Sequence, residues 1–239
     1  MAKKRKTLPK NFGELVEAGD IPALKAVFDS CELDANDGYG KKPALSFYGI
    51  PAELLRWLVE QGADINARDR YQKTPLHSQV GMHCEQLELL LELGADIEAR
   101  DYDEETPLHT AAMRFQRHAV RSLLAHGANI HAANKSGQTP LALALVYCRN
   151  CDISAAAEIA ALLLDAGAQV TPEMTEQVQR IGKEFEFHRE NFNKDSLAEA
   201  DAGLARLYAL FQVAPIAKRR VHDGVSRITV TAARWEDQH

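Results

Sequence analysis

Thr74-Pro75-Leu76-His77 recurs as Thr106-Pro107-Leu108-His109, 32 residues further on. Each copy opens an apolar, helix-like run that closes on a Gly-Ala pair, Gly94-Ala95 and Gly127-Ala128. Two four-residue matches at one offset do not arise by chance in a chain this short, and a fixed period of this size marks stacked repeats. Working outward, Thr139-Pro140-Leu141-Ala142 follows the second copy by 33 residues, and Lys42-Pro43-Ala44-Leu45 precedes the first by 32. The glycines keep step at Gly62, Gly94, Gly127 and Gly167.

Each motif has a local physical reading. Proline fits the first turn of a helix, where its missing N–H is no loss and its φ is already helical. Thr74, Thr106 and Thr139 stand one position earlier, where a hydroxyl accepts from an unpaired N–H of the first turn. Leu87, Leu90 and Leu91, and likewise Val120, Leu123 and Leu124, fall on one face at helical spacing. Gly94 and Gly127 then occupy the left-handed position that ends a helix. Asp96-Ile97-Glu98-Ala99 and Asn129-Ile130-His131-Ala132 lead out to a turn. The unit is helix, helix, projecting loop.

At these residues the chain resembles the ankyrin-repeat family, whose signature is T-P-L-H-x-A at a period of 33. The resemblance covers roughly residues 11–171 and implies an all-α repeat solenoid of about five repeats. It also implies a structural role for His77 and His109, each bonding backbone of the neighbouring repeat, in place of a catalytic or metal-binding one. Function is a property of sites and is not implied by the architecture alone.

The chain has 239 residues, 46% hydrophobic and 26% charged, with a net charge of −6. These are the proportions of a folded chain of one or two domains. No apolar run approaches the ~18 residues of a membrane span, and no apolar signal stretch opens the chain. A cytoplasmic location without a membrane partner is expected. Cys31, Cys84, Cys148 and Cys151 occupy no equivalent positions in the repeats, so no disulfide framework is expected. Cys148-Arg149-Asn150-Cys151 lacks the second pair that zinc would need, and neither metal nor cofactor is expected. Lys3, Lys4, Arg5, Lys6 and Lys10 leave the rest of the chain at about −11. An acidic body argues against nucleic acid, whose phosphates need a basic surface.

Residues 1–10 read as a basic flexible tail, either solvated or a nuclear-localisation patch. Residues 11–30 read as a degenerate capping repeat. Phe12, Leu15 and Val16 face one way, Gly19 turns the chain, and Asp20 caps a helix carrying Leu24, Val27 and Phe28. Repeat two spans about 37–66, repeat three 69–98, and repeat four 101–131. Repeats two and three are one residue shorter between Pro and Gly than repeat four, which shortens the turn between their helices. At the tips, Gly40 and Gly137 hold the position where the family has Gly. Gln72 and Glu104 replace it in the other two, which predicts a different turn there, because a left-handed non-Gly residue is strained. Repeat five starts at Asn134 and carries seven extra residues around Tyr147–Ser154, either a loop on the binding face or a neutral length variant.

Residues 172–239 read as a capping extension of two helices and a β-hairpin. Met174, Val178, Ile181, Phe185 and Phe192 predict a helix over 173–192. Ser196-Leu197-Ala198-Glu199, a capping box, opens a second over 196–213 bearing Leu197, Leu204, Leu207, Tyr208 and Phe211. His222-Asp223-Gly224 predicts a hairpin turn before a strand with Ile228, Val230 and Ala232. Here the chain is similar to the C-terminal extension of some bacterial ankyrin-repeat proteins. The similarity rests on Phe185 to Asn191, Leu207 to Phe211 and Lys218-Arg219-Arg220-Val221-His222-Asp223-Gly224. Those relatives continue past a Trp-x-x-Gln-His like Trp235–His239, which would make this chain a shortened form.

Three functional readings remain. The resemblance implies a non-catalytic protein–protein interaction module, a monomer or weak dimer, that binds a partner through its concave face. Carried onto this sequence, the tips are Arg70, Tyr71, Lys73, Tyr102, Asp103, Glu105, Lys135, Ser136 and Gln138. The first helices contribute Met82, His83, Met113 and Arg114. Tyr71 and Tyr102 are expected about 10 Å apart, the spacing of packed helices. A narrower variant is a bacterial immunity or inhibitor protein whose acidic body meets a basic toxin. The third is an enzyme using His188, Glu190, His222 and Asp223, with Glu186 four residues before Glu190. No nucleophile elbow, phosphate loop or H-E-x-x-H accompanies these groups.

Overall fold

The structure is a computed structural model and describes residues 3–80 and 86–218. Met82, His83, Cys84, the turn between the helices of repeat three, and the segment predicted as a hairpin lie outside the described residues. Helices α1 Phe12–Ala18 and α2 Ile21–Ser30 form the first unit, and α3 Ala52–Glu60 belongs to the second. The pairs α4 Pro75–Val80 with α5 Gln86–Glu92, α6 Pro107–Met113 with α7 Arg117–Ala125, and α8 Pro140–Tyr147 with α9 Ile153–Asp165 follow. The last pair is α10 Pro172–His188 with α11 Lys194–Phe211. First helices α4, α6, α8 and α10 pack in that order; α7, α9 and α11 form a second row.

The boundaries arise as the sequence leads one to expect. Thr106 accepts from the His109 N–H and Thr139 from the Ala142 N–H. At the other end the Gly-Ala pair closes each second helix. Ala95, Ala128 and Ala168 N–H donate back to the carbonyls of Leu90, Leu123 and Leu163, all at 2.9 Å. That bond needs the preceding glycine in the left-handed region, and Gly127 has φ 82°.

Repeat two departs from the pattern. Its first helix is reduced to a 3-10 turn, Ala44–Ser46. Lys42 offers no capping hydroxyl, Gly49 is left-handed (φ 70°), and Pro51 keeps Ile50 out of the helical region. The carbonyls left without helical partners are satisfied from repeat three. Gln79 Nε2 donates to Leu45 and Phe47 (3.2 and 3.1 Å), and Gln86 Nε2 to Ile50 (2.8 Å). Phe47 instead turns its ring onto Phe12 of the first unit, edge to face, 4.9 Å between centroids.

Residues 3–10 are tied to the first unit, which corrects the reading of a flexible tail. Strand β1 Arg5–Thr7 pairs in parallel with β2 Cys31–Asn36. The Leu8 N–H donates to the Asn36 carbonyl (2.8 Å), the Leu8 side chain is buried, and Lys4 Nζ reaches the Phe28 carbonyl (2.6 Å).

The repeat architecture runs past Thr171-Pro172, where the motif ends in the sequence. Thr171 caps α10 by accepting from the Met174 N–H, as Thr139 caps α8. Helix α10 packs on α8 and α11 on α9, so this pair is a sixth unit of the stack. Helix α11 begins at Lys194 under an Asn193 cap, ahead of the Ser196 box, and a 3-10 turn Arg189–Asn191 separates it from α10. The insertion of repeat five makes little loop: α9 has 13 residues against 9 in α7. The added turn begins at Ile153-Ser154, and Gly203 of α11 lies directly against it. The inserted residues therefore build the platform on which α11 sits.

Candidate partner-binding surface

Each projecting tip is folded by its first residue. Asp69 Oδ1 accepts from the Tyr71 and Lys73 N–H groups (2.8 and 2.9 Å). Asp101 does the same for Asp103 and Glu105 (2.9 and 3.0 Å), and Asn134 for Ser136 and Gln138 (3.0 and 2.9 Å). Gln72 and Glu104 keep the left-handed turn (φ 62° and 60°) that Gly137 makes (φ 73°), contrary to the expected change of turn. An arginine holds each of these two in place. Arg68 donates to the Gln72 carbonyl (3.2 Å) and Arg100 to that of Glu104 (3.1 Å). Where glycine removes the strain, at Gly137, the equivalent of that arginine is Ala133. The tip of repeat two is shifted by one residue: the Asp37 N–H bonds the Lys42 carbonyl (3.1 Å). Its positive φ values therefore fall on Gly38 and Lys41, and not on Gly40.

The tips are fastened to one another by backbone. The Arg70 N–H donates to the Gly40 carbonyl (2.8 Å), Tyr102 to Tyr71 (2.8 Å) and Lys135 to Asp103 (3.0 Å). Direct bonding sets the spacing of Tyr71 and Tyr102 backbones, which replaces the ~10 Å expected from helix packing. The motif histidines add a second tie. His77 Nδ1 accepts from the Thr74 N–H (3.2 Å), so its Nε2–H donates to the Glu105 carbonyl of the next tip (3.0 Å). His109 repeats this with Thr106 (3.1 Å) and Gln138 (3.0 Å). The arginines give a third, Arg68 to the Arg100 carbonyl (2.6 Å) and Arg100 to that of Ala133 (2.8 Å).

Burial holds both imidazoles below the ordinary histidine pKa, against the raising effect of the carbonyl each one meets. The folded state thus prefers them neutral, while the unfolded chain protonates them near the ordinary value of about 6.5. Their contribution is complete above that pH and is lost as pH falls below it toward the folded values. The melting temperature is expected to fall between pH 7.5 and 5.5. The His77→Gln/His109→Gln chain should be less stable at pH 7.5 by about 2 kcal/mol, one hydrogen bond per site, with a flatter pH profile.

On this rigid strip stand exposed tyrosines. Tyr71 is 59% and Tyr102 64% exposed, and Tyr39, absent from the sequence-derived set, is 88% exposed at the tip of repeat two. Cations lie on their rings: Arg70 between Tyr39 (5.3 Å) and Tyr71 (5.7 Å), and Lys135 over Tyr102 (3.8 Å). The alternation of Tyr39 with Arg70 was open to recognition from repeat register, but the shifted tip hid it. Asp103 and Ser136 are exposed, while Lys73, Glu105 and Gln138 are half-buried. Lys73 is turned to Asp101 (3.5 Å), and burial first, then Asp101, raises the Glu105 pKa. Those three belong to the fastening of the strip more than to its outer face.

Met113 and Arg114 lie apart from the tips, at the end of α6. There, with Phe115, Val146, Tyr147, Arg149 and Asp152, they line an open depression of about 590 Å³. Tyr147 is 51% exposed. The insertion therefore reaches this depression through Tyr147 and through Arg149 and Asp152, which pair at 2.8 Å.

The other candidate groups are engaged elsewhere. Cys148 is buried and its thiol is pushed up to about 12, chiefly by burial, while Cys151 is exposed. Glu186 is buried and holds Arg189 by two bonds (2.8 and 2.7 Å), and Arg189 also grips Asp201 (3.0 Å) across to α11. Glu190 is exposed beyond the end of α10, so it shares no site with Glu186. His188 meets Phe187 edge to face; His222 and Asp223 lie outside the described residues. Among the described residues no three His, Cys, Asp or Glu are grouped as metal ligands, and no helix is long and apolar enough to cross a membrane.

Paired helices, fastened tips and a continuous row of first helices define a class of repeat scaffold. Residues 79–174 match the family described as ankyrin repeats, in three copies. Over those residues the chain is similar to ankyrin repeats. The match starts within repeat three, after the repeat whose first helix is lost. Ankyrin repeats generally mediate protein–protein interaction. No curated protein matches the chain.

Proposed function

We propose that the chain is a non-catalytic binding module that holds a protein partner against its loop tips and the exposed ends of its first helices. The observation that carries this reading is the row of exposed tyrosines on tips locked by backbone hydrogen bonds. Tyrosine and arginine are the residue types that most often anchor interfaces. A rigid strip loses little conformational freedom on binding. The partner meets Tyr39, Arg70, Tyr71, Tyr102 and Lys135 together, and larger partners extend to Met113, Arg114 and Tyr147. The acidic remainder of the chain suits a partner with basic surface around that contact.

Once a partner is purified by affinity capture from native cells, calorimetry with tip variants tests the reading. Tyr39→Ala, Tyr71→Ala and Tyr102→Ala should each change folding stability by no more than about 0.5 kcal/mol, as at other surface positions. At least one should weaken binding by more than about 1 kcal/mol. Undiminished affinity in the triple variant would remove the tips from the interface.

A further inference from the structure

The ladder of tips stops abruptly at repeat five. Pro140 stands 13 positions after Gly127, but Pro172 stands only 5 after Gly167. The sixth helix pair therefore has no tip of its own. In the preceding repeats the N–H after the first tip residue donates back to the tip before it, and Tyr71 and Asp103 are the acceptors. Ser136 holds the equivalent position in the last tip, and no N–H among the described residues reaches its carbonyl. The other two fasteners end in step. Ala133 stands where Arg68 and Arg100 would repeat, and Ala142 where His77 and His109 would. Beside this edge a groove of about 370 Å³ opens between the last tip and α10. Ala142, Val146 and Met174 supply its apolar wall, and Glu173 and Gln177 its polar one.

The opposite end of the array shows what closes such an edge. There β1, an extended segment, lies along β2, and the Leu8 N–H fills the Asn36 carbonyl. Ser136 lies in a turn, but its carbonyl ends a ladder of backbone bonds between tips, and a backbone acceptor left open at the end of such a ladder can be taken by another extended chain, as at a sheet edge. We propose that the Ser136 edge and its groove bind an extended peptide segment of a protein partner, whose backbone takes the place of the missing sixth tip. Its N–H donates to Ser136, an apolar side chain lies against Ala142 and Val146, and a basic side chain meets Glu173. The inference rests on the tip edge being a protein-binding surface, and adds to it the conformation and charge of what binds.

The probe is a phage-displayed library of random seven-residue peptides, panned on the full chain, with the enriched sequences then titrated as synthetic peptides. Enriched peptides are expected to alternate apolar residues with Lys or Arg. N-methylation at the bonded position should weaken binding about tenfold, the cost of one unmade bond to a desolvated carbonyl. Glu173→Lys, a fully exposed position, should weaken binding and turn selection toward acidic residues. Val146→Glu, verified by its melting curve, should abolish binding. Tyr71→Ala/Tyr102→Ala should leave peptide binding unchanged; loss of binding there would assign the peptides to the tyrosine strip and overturn the groove while sparing the broader reading. No enrichment over the Val146→Glu chain, or indifference to N-methylation, would overturn the proposal. Concentration-dependent dimerisation removed by Val146→Glu would also overturn it, assigning the edge to a second copy of this chain.

Discussion

A chain ended at Val170 is expected to melt at least 10 °C lower than the full chain, or to aggregate on expression. The reason lies in α9. From Asp152 to Leu164 no residue is exposed, because α7 flanks the helix on one side and α11 on the other. A helix whose buried residues include Ile153, Ile159 and Leu163 cannot turn that surface to water. Removing α10 and α11 uncovers part of that surface together with the side of α8 that α10 covers. Each fully buried Ile or Leu is worth about 1.5–3 kcal/mol, so two or three re-exposed side chains account for about 3–9 kcal/mol. Repeat arrays need a polar terminal unit for this reason. A melting temperature equal to that of the full chain would refute the capping role of residues 172–218.

Gly203→Val is expected to be the most damaging single substitution in the cap. A Cβ on Gly203 would lie 2.7 Å from the Ser154 Cα and 2.9 Å from its N. Both are backbone atoms at the start of α9 and cannot swing aside as a side chain would. Helix α11 must lift or slide, which separates Leu204, Leu207 and Phe211 from their contacts. Overpacking of this kind costs about 3 kcal/mol, a fall of roughly 6–12 °C for a chain of this size. Gly203→Ala should cost less but act in the same direction. A control at Ala202, the neighbouring position on α11, should be tolerated better. Wild-type melting of the Val variant would mean that α11 does not dock on Ser154.

The truncation and the substitution bear on one question, why repeat five is longer than its neighbours. Sequence comparison between repeats located the seven extra residues and left their purpose open between a binding loop and a neutral variant. Most of them lengthen α9 and give α11 its seat, while Tyr147, Arg149 and Asp152 line the depression beside Met113 and Arg114. That assignment needed the position of Gly203, which is 49 residues from Ser154 in the chain.

The sequence by itself determined the repeat. Thr-Pro at the start of a helix, Gly-Ala at its end and leucines at helical spacing act over a few residues, so their effect is visible without the fold. The structural role of His77 and His109 came from the family resemblance, and the structure adds to it a bond between each ring and the threonine three residues before. The tertiary structure alone decided the rest. Whether repeat two keeps its first helix depends on Gln79 and Gln86 reaching over to satisfy the carbonyls that the helix would have used. Residues 3–10 are held because β2, over 20 residues later, offers them an edge. Gln72 and Glu104 can stay left-handed because Arg68 and Arg100 hold their carbonyls. Tyr39 joins the tyrosine strip because its tip is shifted by one residue. In the first two cases the deciding partner is a backbone group that another unit leaves unpaired, and such a group must be satisfied by whatever the fold brings next to it.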